Sequence, residues 1–188
     1  MFATRRAAPN LTIVDPCDAI DIQQAVPQLA AADGPTYTRL LRGRVPAVLD
    51  EYDYSFELGK AKLLRDGADV LFVSSGLMTE RVLEAAQALE EDGVGAAVLH
   101  SPTIKPFDEE ALLAQLGKGR LVLTAENHSV VGGLFDTVAR TMALHGVGEK
   151  VTPIALPDAF LEAGALPTLN DRYGVSTGAI VQRVRGML

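Results

Sequence analysis

The chain has 188 residues, 48% of them hydrophobic and 22% charged, with a formal net charge of −7. That size and balance suit a globular protein with a sizeable core, either one large domain or one domain with an extra piece. The acidity argues against a surface prepared for nucleic acid or an anionic membrane, no apolar run is long enough to span a bilayer, and the single cysteine, Cys17, rules out an internal disulfide or a cysteine-rich zinc site.

The opening MFATRRAAP carries two arginines and no acid but lacks the apolar stretch of a secretory leader. With one thiol, the expected setting is reducing and cytoplasmic. LTIVDP reads as a strand stopped by Pro16. Asp18 is placed to cap a helix whose stripe is Ile22, Ala25, Val26 and Leu29, with Pro27 expected to kink or shorten it. After the turn AADGP comes the strand TYTRLL, so residues 9–41 form a β-α-β unit too small to cover its own apolar faces. The polar, proline-broken stretch 42–54 reads as a linker or arm. FELGKAKLLRDG with DVLFVSSG predicts a hairpin leading into a central strand.

Helix 79–92 follows, with Val82, Leu83, Ala86 and Leu89 on one face, and Gly93 ends it. GAAVLHS is a near-continuous apolar strand, as expected where a sheet is covered on both faces. Asp108 begins another helix, RLVLTAE is a strand, helix 132–145 turns Leu134, Phe135, Val138 and Met142 inward, VTPIALP is a strand, and Ser176 or Thr177 caps a last helix. Strands alternating with helices specify an α/β fold with a mainly parallel sheet.

Candidate chemistry is sparse. SSGLMTE is a strand-to-helix turn without a GxGxxG or P-loop pattern, so Ser74 and Ser75 read as caps or turn partners. His100, His128 and His145 have no metal-ligand spacing. His100 reads as a hydrogen-bonded edge residue. His128, in AENHSVVGGL, is the strongest functional candidate: it lies in the loop beyond a strand's carboxyl end, with Glu126 able to orient it. The alternative is a structural role for both, with Gly132 and Gly133 serving close packing. Arg39, followed by Arg42 and Arg44, offers planar forks of donors suited to phosphate, or else a solvated arm.

PNLTIVDPCDA and GPTYTRLLRGRVP resemble the late portion and closing strand of the pyrimidine-binding domain of transketolases. GADVLFVSSGLMTERVLEAAQALEEDGV, TIKPFDEEALL, AENHSVVGGL and YGVSTGAIVQRV resemble, in order, markers of the transketolase C-terminal domain. Similar segments occur in 1-deoxyxylulose-5-phosphate synthase and in the beta subunit of 2-oxo acid dehydrogenases. HSVVGGL and TRLLRG favour the transketolases, particularly those encoded as two subunits.

The resemblance implies a C-terminal remnant of the pyrimidine-binding domain at 1–44, a linker at 45–56 and a transketolase C-terminal domain at 57–188, with a three-layer, mainly parallel, twisted sheet. The family uses thiamine diphosphate and Mg2+. Their Gly-Asp-Gly and Asn-Asn motif, the catalytic glutamate and the substrate histidines have no counterpart here, and EDGVG at 91–95 only imitates the first. The implied protein is therefore a segment or subunit inactive alone, binding neither cofactor by itself and carrying no catalytic residue. It would be completed by an N-terminal transketolase subunit or region, be a homo-oligomer such as a dimer, and act on a sugar phosphate whose phosphate meets Arg39. Glu126 and His128 would hold a loop or subunit boundary. Alternatives are a non-catalytic assembly or regulatory module, or a piece of one of the two related enzymes.

Overall fold

A computed structural model describes residues 2–40 and 46–188. Helix α1 (Phe2–Arg6) leads to strand β1 (Thr12–Val14), helix α2 (Ala19–Ala31) and strand β2 (Thr36–Thr38). A 3-10 turn (Leu49–Glu51) precedes β3 (Lys62–Arg65), β4 (Val70–Ser74), α3 (Met78–Glu91), β5 (Ala96–His100), β6 (Thr103–Lys105) and α4 (Glu109–Gln115). The chain closes with β7 (Leu121–Ser129), α5 (Leu134–Leu144), β8 (Val151–Leu156), α6 (Leu166–Arg172) and α7 (Thr177–Arg185). No helix is long and apolar enough to cross a membrane among the described residues.

The main sheet has the order β3-β5-β4-β7-β8, parallel except for β3, which runs antiparallel to β5. Successive residues of β4 point to opposite faces. Val70 and Phe72 pack with Val82 and Leu89 of α3 and Ile180 and Val184 of α7. Leu71 and Val73 pack on the other face with Leu112 of α4 and Leu134 and Val138 of α5. Covering both faces makes β4 and β5 wholly buried, which explains their unbroken apolar runs. The architecture is the expected three-layer α/β fold.

A second sheet, β2-β1-β6, pairs β1 in parallel with β2 and antiparallel with β6. Its third strand comes from beyond β5, so the amino-terminal β-α-β unit shares a sheet with the later chain. Buried polar contacts reinforce that junction. Asp21 of α2 accepts hydrogen bonds from the Cys17 N–H at 2.8 Å and the Tyr54 hydroxyl at 2.5 Å, and its carboxylate lies 2.9 Å from His100 Nε2 of β5. From His100 the chain runs on through Thr79 to Ser74, at 2.8 and 2.9 Å. Burial pushes the Asp21 carboxyl up, but His100 and the two donors outweigh it and leave its pKa below the ordinary value.

Several local expectations change. Residues 56–76 do not form a hairpin: β3 pairs with β5, while β4 lies between β5 and β7. The charged Lys62 and Arg65 suit an edge and the apolar β4 suits the centre, so burial decides strand order over proximity in sequence. Pro27 lies inside the thirteen-residue α2 without ending it. Pro27 and Gln23 are both exposed, so the carbonyl deprived of its helical partner can face water. His100 is not an edge residue, because β5 is flanked by β3 and β4. Caps fall where expected: the Asp18, Asp108 and Ser176 side chains accept the first amides of α2, α4 and α7.

Candidate functional site

The carboxyl ends of β1, β2, β4 and β7 meet at one place. Asp15, one residue past β1, is 1% exposed. Its backbone carbonyl accepts the Gly76 N–H at 2.9 Å, and its carboxylate accepts the Ser75 hydroxyl at 2.9 Å. Gly76 has φ +55°, and a Cβ there would lie 2.6 Å from Asp15 Oδ2, so only glycine lets the turn after β4 approach this closely.

Arg39, one residue past β2, reaches into this junction. Its backbone N–H is bonded to the Val14 carbonyl at 2.9 Å. One guanidinium nitrogen lies 3.5 Å from Asp15 Oδ1, another donates to the Asn127 carbonyl at 2.5 Å, and the guanidinium carbon stands 5.6 Å from the centre of the Phe2 ring. The side chain keeps 23% of its surface exposed. It is an oriented fork with an open side. Burial pushes the Asp15 carboxyl up, against the opposing pull of Arg39 and the Ser75 hydroxyl. Arg42 and Arg44 lie outside the described residues.

Glu126 and His128 sit beside Arg39, because β7 continues through Ser129. His128 is thus a strand residue and not a loop residue. Glu126 Oε2 accepts the Leu134 N–H at 2.7 Å and Oε1 the Phe135 N–H at 2.9 Å, so the carboxylate caps α5 from outside the helix. Burial pushes its pKa up to about 7 in spite of those two donors. It does not orient His128: the nearest approach to Nδ1 is 3.9 Å. His128 Nδ1 faces the Ser129 carbonyl at 2.8 Å, and Nε2 accepts the Phe2 N–H at 3.0 Å. That pairing requires the neutral tautomer protonated on Nδ1, and burial lowers the pKa accordingly. Phe2 stacks on the imidazole with ring centres 4.6 Å apart. Both ring nitrogens are occupied, which suits a fastening for α1 better than a proton shuttle.

Arg39, Glu126 and His128, the candidates legible in the sequence, come together at one place in the fold. Asp15, Ser75 and Phe2 complete the cluster. A carboxylate directly after an apolar strand was a readable signal for Asp15, whereas Phe2 contacts a residue 126 positions away and has no local signal. His145 lies apart, 3.1 Å from Glu109. Cys17 is buried, and burial pushes its thiol up, which suits a small core residue.

A family model for the transketolase C-terminal domain matches residues 59–180. A transketolase family protein of Sinorhizobium fredii is 60% identical over 100% of this chain, an alignment spanning 55% of that protein. The SqwH subunit of a 6-deoxy-6-sulfo-D-fructose transketolase from a Clostridium species is 40% identical over 94% of this chain and 54% of its own length. The chain thus spans about half the length of these curated relatives. Among solved structures, a split gene transketolase in an inactive beta4 tetramer superposes with a TM-score of 0.91 at 35% identity, covering 98% of this chain and 60% of that one. The matched segment, the identity along the whole chain and the superposed fold together make this chain a member of the transketolase C-terminal domain family.

Proposed function

We propose that this chain is the C-terminal subunit or segment of a thiamine diphosphate-dependent transketolase, that it works as a homo-oligomer with an N-terminal subunit, and that Arg39 binds the anionic end of the sugar substrate. The position of Arg39 carries this reading. Its fork is held by Asp15 and the Asn127 carbonyl at the carboxyl ends of four strands, where ligands bind in α/β sheets, in a chain whose relatives are transketolase subunits. Among the described residues, no group of three or more His, Cys, Asp or Glu side chains could hold a metal ion. The reading assigns cofactor and metal to the N-terminal part, since the Gly-Asp-Gly and Asn-Asn motif that holds them in the family has no counterpart in this sequence. What this chain supplies is orientation: Asp15 fixes the guanidinium so that little rotamer freedom is lost when an oxyanion arrives.

The Clostridium relative acts on a sulfonated sugar, and a guanidinium fork accepts sulfonate oxygens as readily as phosphate oxygens. Both substrate types therefore belong in the test. Mixed with an N-terminal transketolase subunit, thiamine diphosphate and Mg2+, the chain should restore a ketol transfer that neither protein shows alone. In that mixture Arg39→Ala should raise KM for the phosphorylated or sulfonated sugar by roughly 10- to 150-fold, the equivalent of the ~1.5–3 kcal/mol of one charge-assisted contact. A neutral acceptor should be nearly unaffected. Equal losses on charged and neutral acceptors would remove Arg39 from the substrate site.

A further inference from the structure

Between β8 and α7 the chain does something unusual for an acidic globular protein. Residues 157–168 are all exposed. Phe160 stands fully out at 109% relative exposure, and Leu166 is 67% exposed. The helix α6 buries none of its side chains. The arm is nevertheless posed: Glu162 pairs with Arg172 and accepts the Tyr173 hydroxyl at 3.1 Å, and the Ala159 N–H is bonded to the Pro157 carbonyl.

Beside the arm, and joined to it through Pro157, lies a recess of about 370 Å³ lined by Val130, Pro153, Ala155, Leu156 and Tyr173. It is ample for a phenyl ring. It lies against β8, the last strand of the main sheet, whose outer edge no other described strand covers. Arg172 and Arg183 also line it, while the arm carries Asp158 and Glu162. Glu162 and Arg172 pair with each other within the chain, which leaves Asp158 on the arm and Arg183 in the recess.

We propose that arm and recess form a two-fold contact between two copies of this chain, with Phe160 of each lying in the recess of the other. A two-fold interface needs one patch that is complementary to itself, and here an apolar projection and an apolar recess share a face. The charges agree, since Asp158 of each arm can meet Arg183 in the recess of the other copy. The size agrees as well: arm, α6 and recess together approach the roughly 20 residues per side of a stable interface. Contiguous exposed apolar surface of this kind marks an interaction site. The inference rests on the homo-oligomeric part of the proposed function and adds the surface that makes it.

The test combines mass with position. By sedimentation velocity at micromolar concentration, the full chain is expected at an even multiple of its monomer mass, and Phe160→Asp at half the parent's multiple with an unchanged far-UV circular dichroism spectrum. Separately purified Phe160→Cys and Ala155→Cys chains, carrying different tags, should form a mixed disulfide on mild oxidation, with little background from buried Cys17. An oligomer that survives Phe160→Asp and gives no mixed disulfide overturns this surface while leaving self-assembly intact. A parent chain that is monomeric overturns both, and if Phe160→Asp then blocks pairing with an N-terminal subunit, the arm belongs to that partner.

Discussion

At the scale of single residues, Glu126 is held in a costly state. Its two carboxylate oxygens satisfy the first amides of α5, yet it is wholly buried and its pKa rises from an ordinary 4.5 to about 7. The folded protein therefore binds more protons at this group than the unfolded chain does between those two values. The resulting stability is fully present below about pH 4.5 and is lost as pH rises through about 7, a swing on the order of 3 kcal/mol. Glu126→Gln keeps one accepting oxygen and cannot titrate. Urea unfolding of both proteins from pH 4.5 to 8 should show the parent losing about 3 kcal/mol relative to the variant. A difference that stays flat with pH would mean the group titrates normally. The sequence marked Glu126 as special, but its cause, burial against a helix end eight residues on, depends on how β7 and α5 pack.

At the scale of elements, α1 is fastened to the end of β7 by a few close contacts. Phe2 is fully buried, stacks on His128 and donates its N–H to Nε2. Gly132, at φ +76°, lets α1 lie against the following turn, since a Cβ there would fall 2.2 Å from the Ala3 Cβ. At Gly133 a Cβ would fall 1.7 Å from Glu126 Oε2 and displace the cap of α5. The glycine pair was legible as a packing signal, because side chains are excluded from so tight a turn whatever packs on it. The identity of α1 as the packing partner was not legible. His128→Ala should cost roughly 2–3 kcal/mol, combining an orphaned buried N–H with a lost ring stack. Amide exchange should quicken in α1 first, with kcat of the reconstituted enzyme changed by less than a few-fold. A large fall in kcat in a stable, assembled variant would instead give His128 a part in the chemistry.

At the scale of the whole molecule, the two sheets are coupled through Asp21. It joins α2, the Tyr54 segment and β5, and its removal would leave His100, Tyr54 and the Cys17 N–H without their acceptor in a dry interior. Asp21→Ala should cost about 3–5 kcal/mol, the scale of breaking one partner out of a buried polar pair. Urea unfolding should then lose its single transition, with amides of β1 and β2 opening before those of β4. A loss under 1 kcal/mol with a single transition retained would show that the sheets are held by apolar contacts alone. The sequence by itself determined the α/β class, the strand-helix alternation, the helix caps and the family, because periodicity, capping chemistry and ordered markers are local along the chain. Tertiary structure alone decided that β3 pairs with β5, that β6 joins the small sheet, that Asp15 orients Arg39 and that Phe160 stands uncovered. Each of these depends on which surfaces far apart in sequence exclude water together, and no local pattern of residues encodes that.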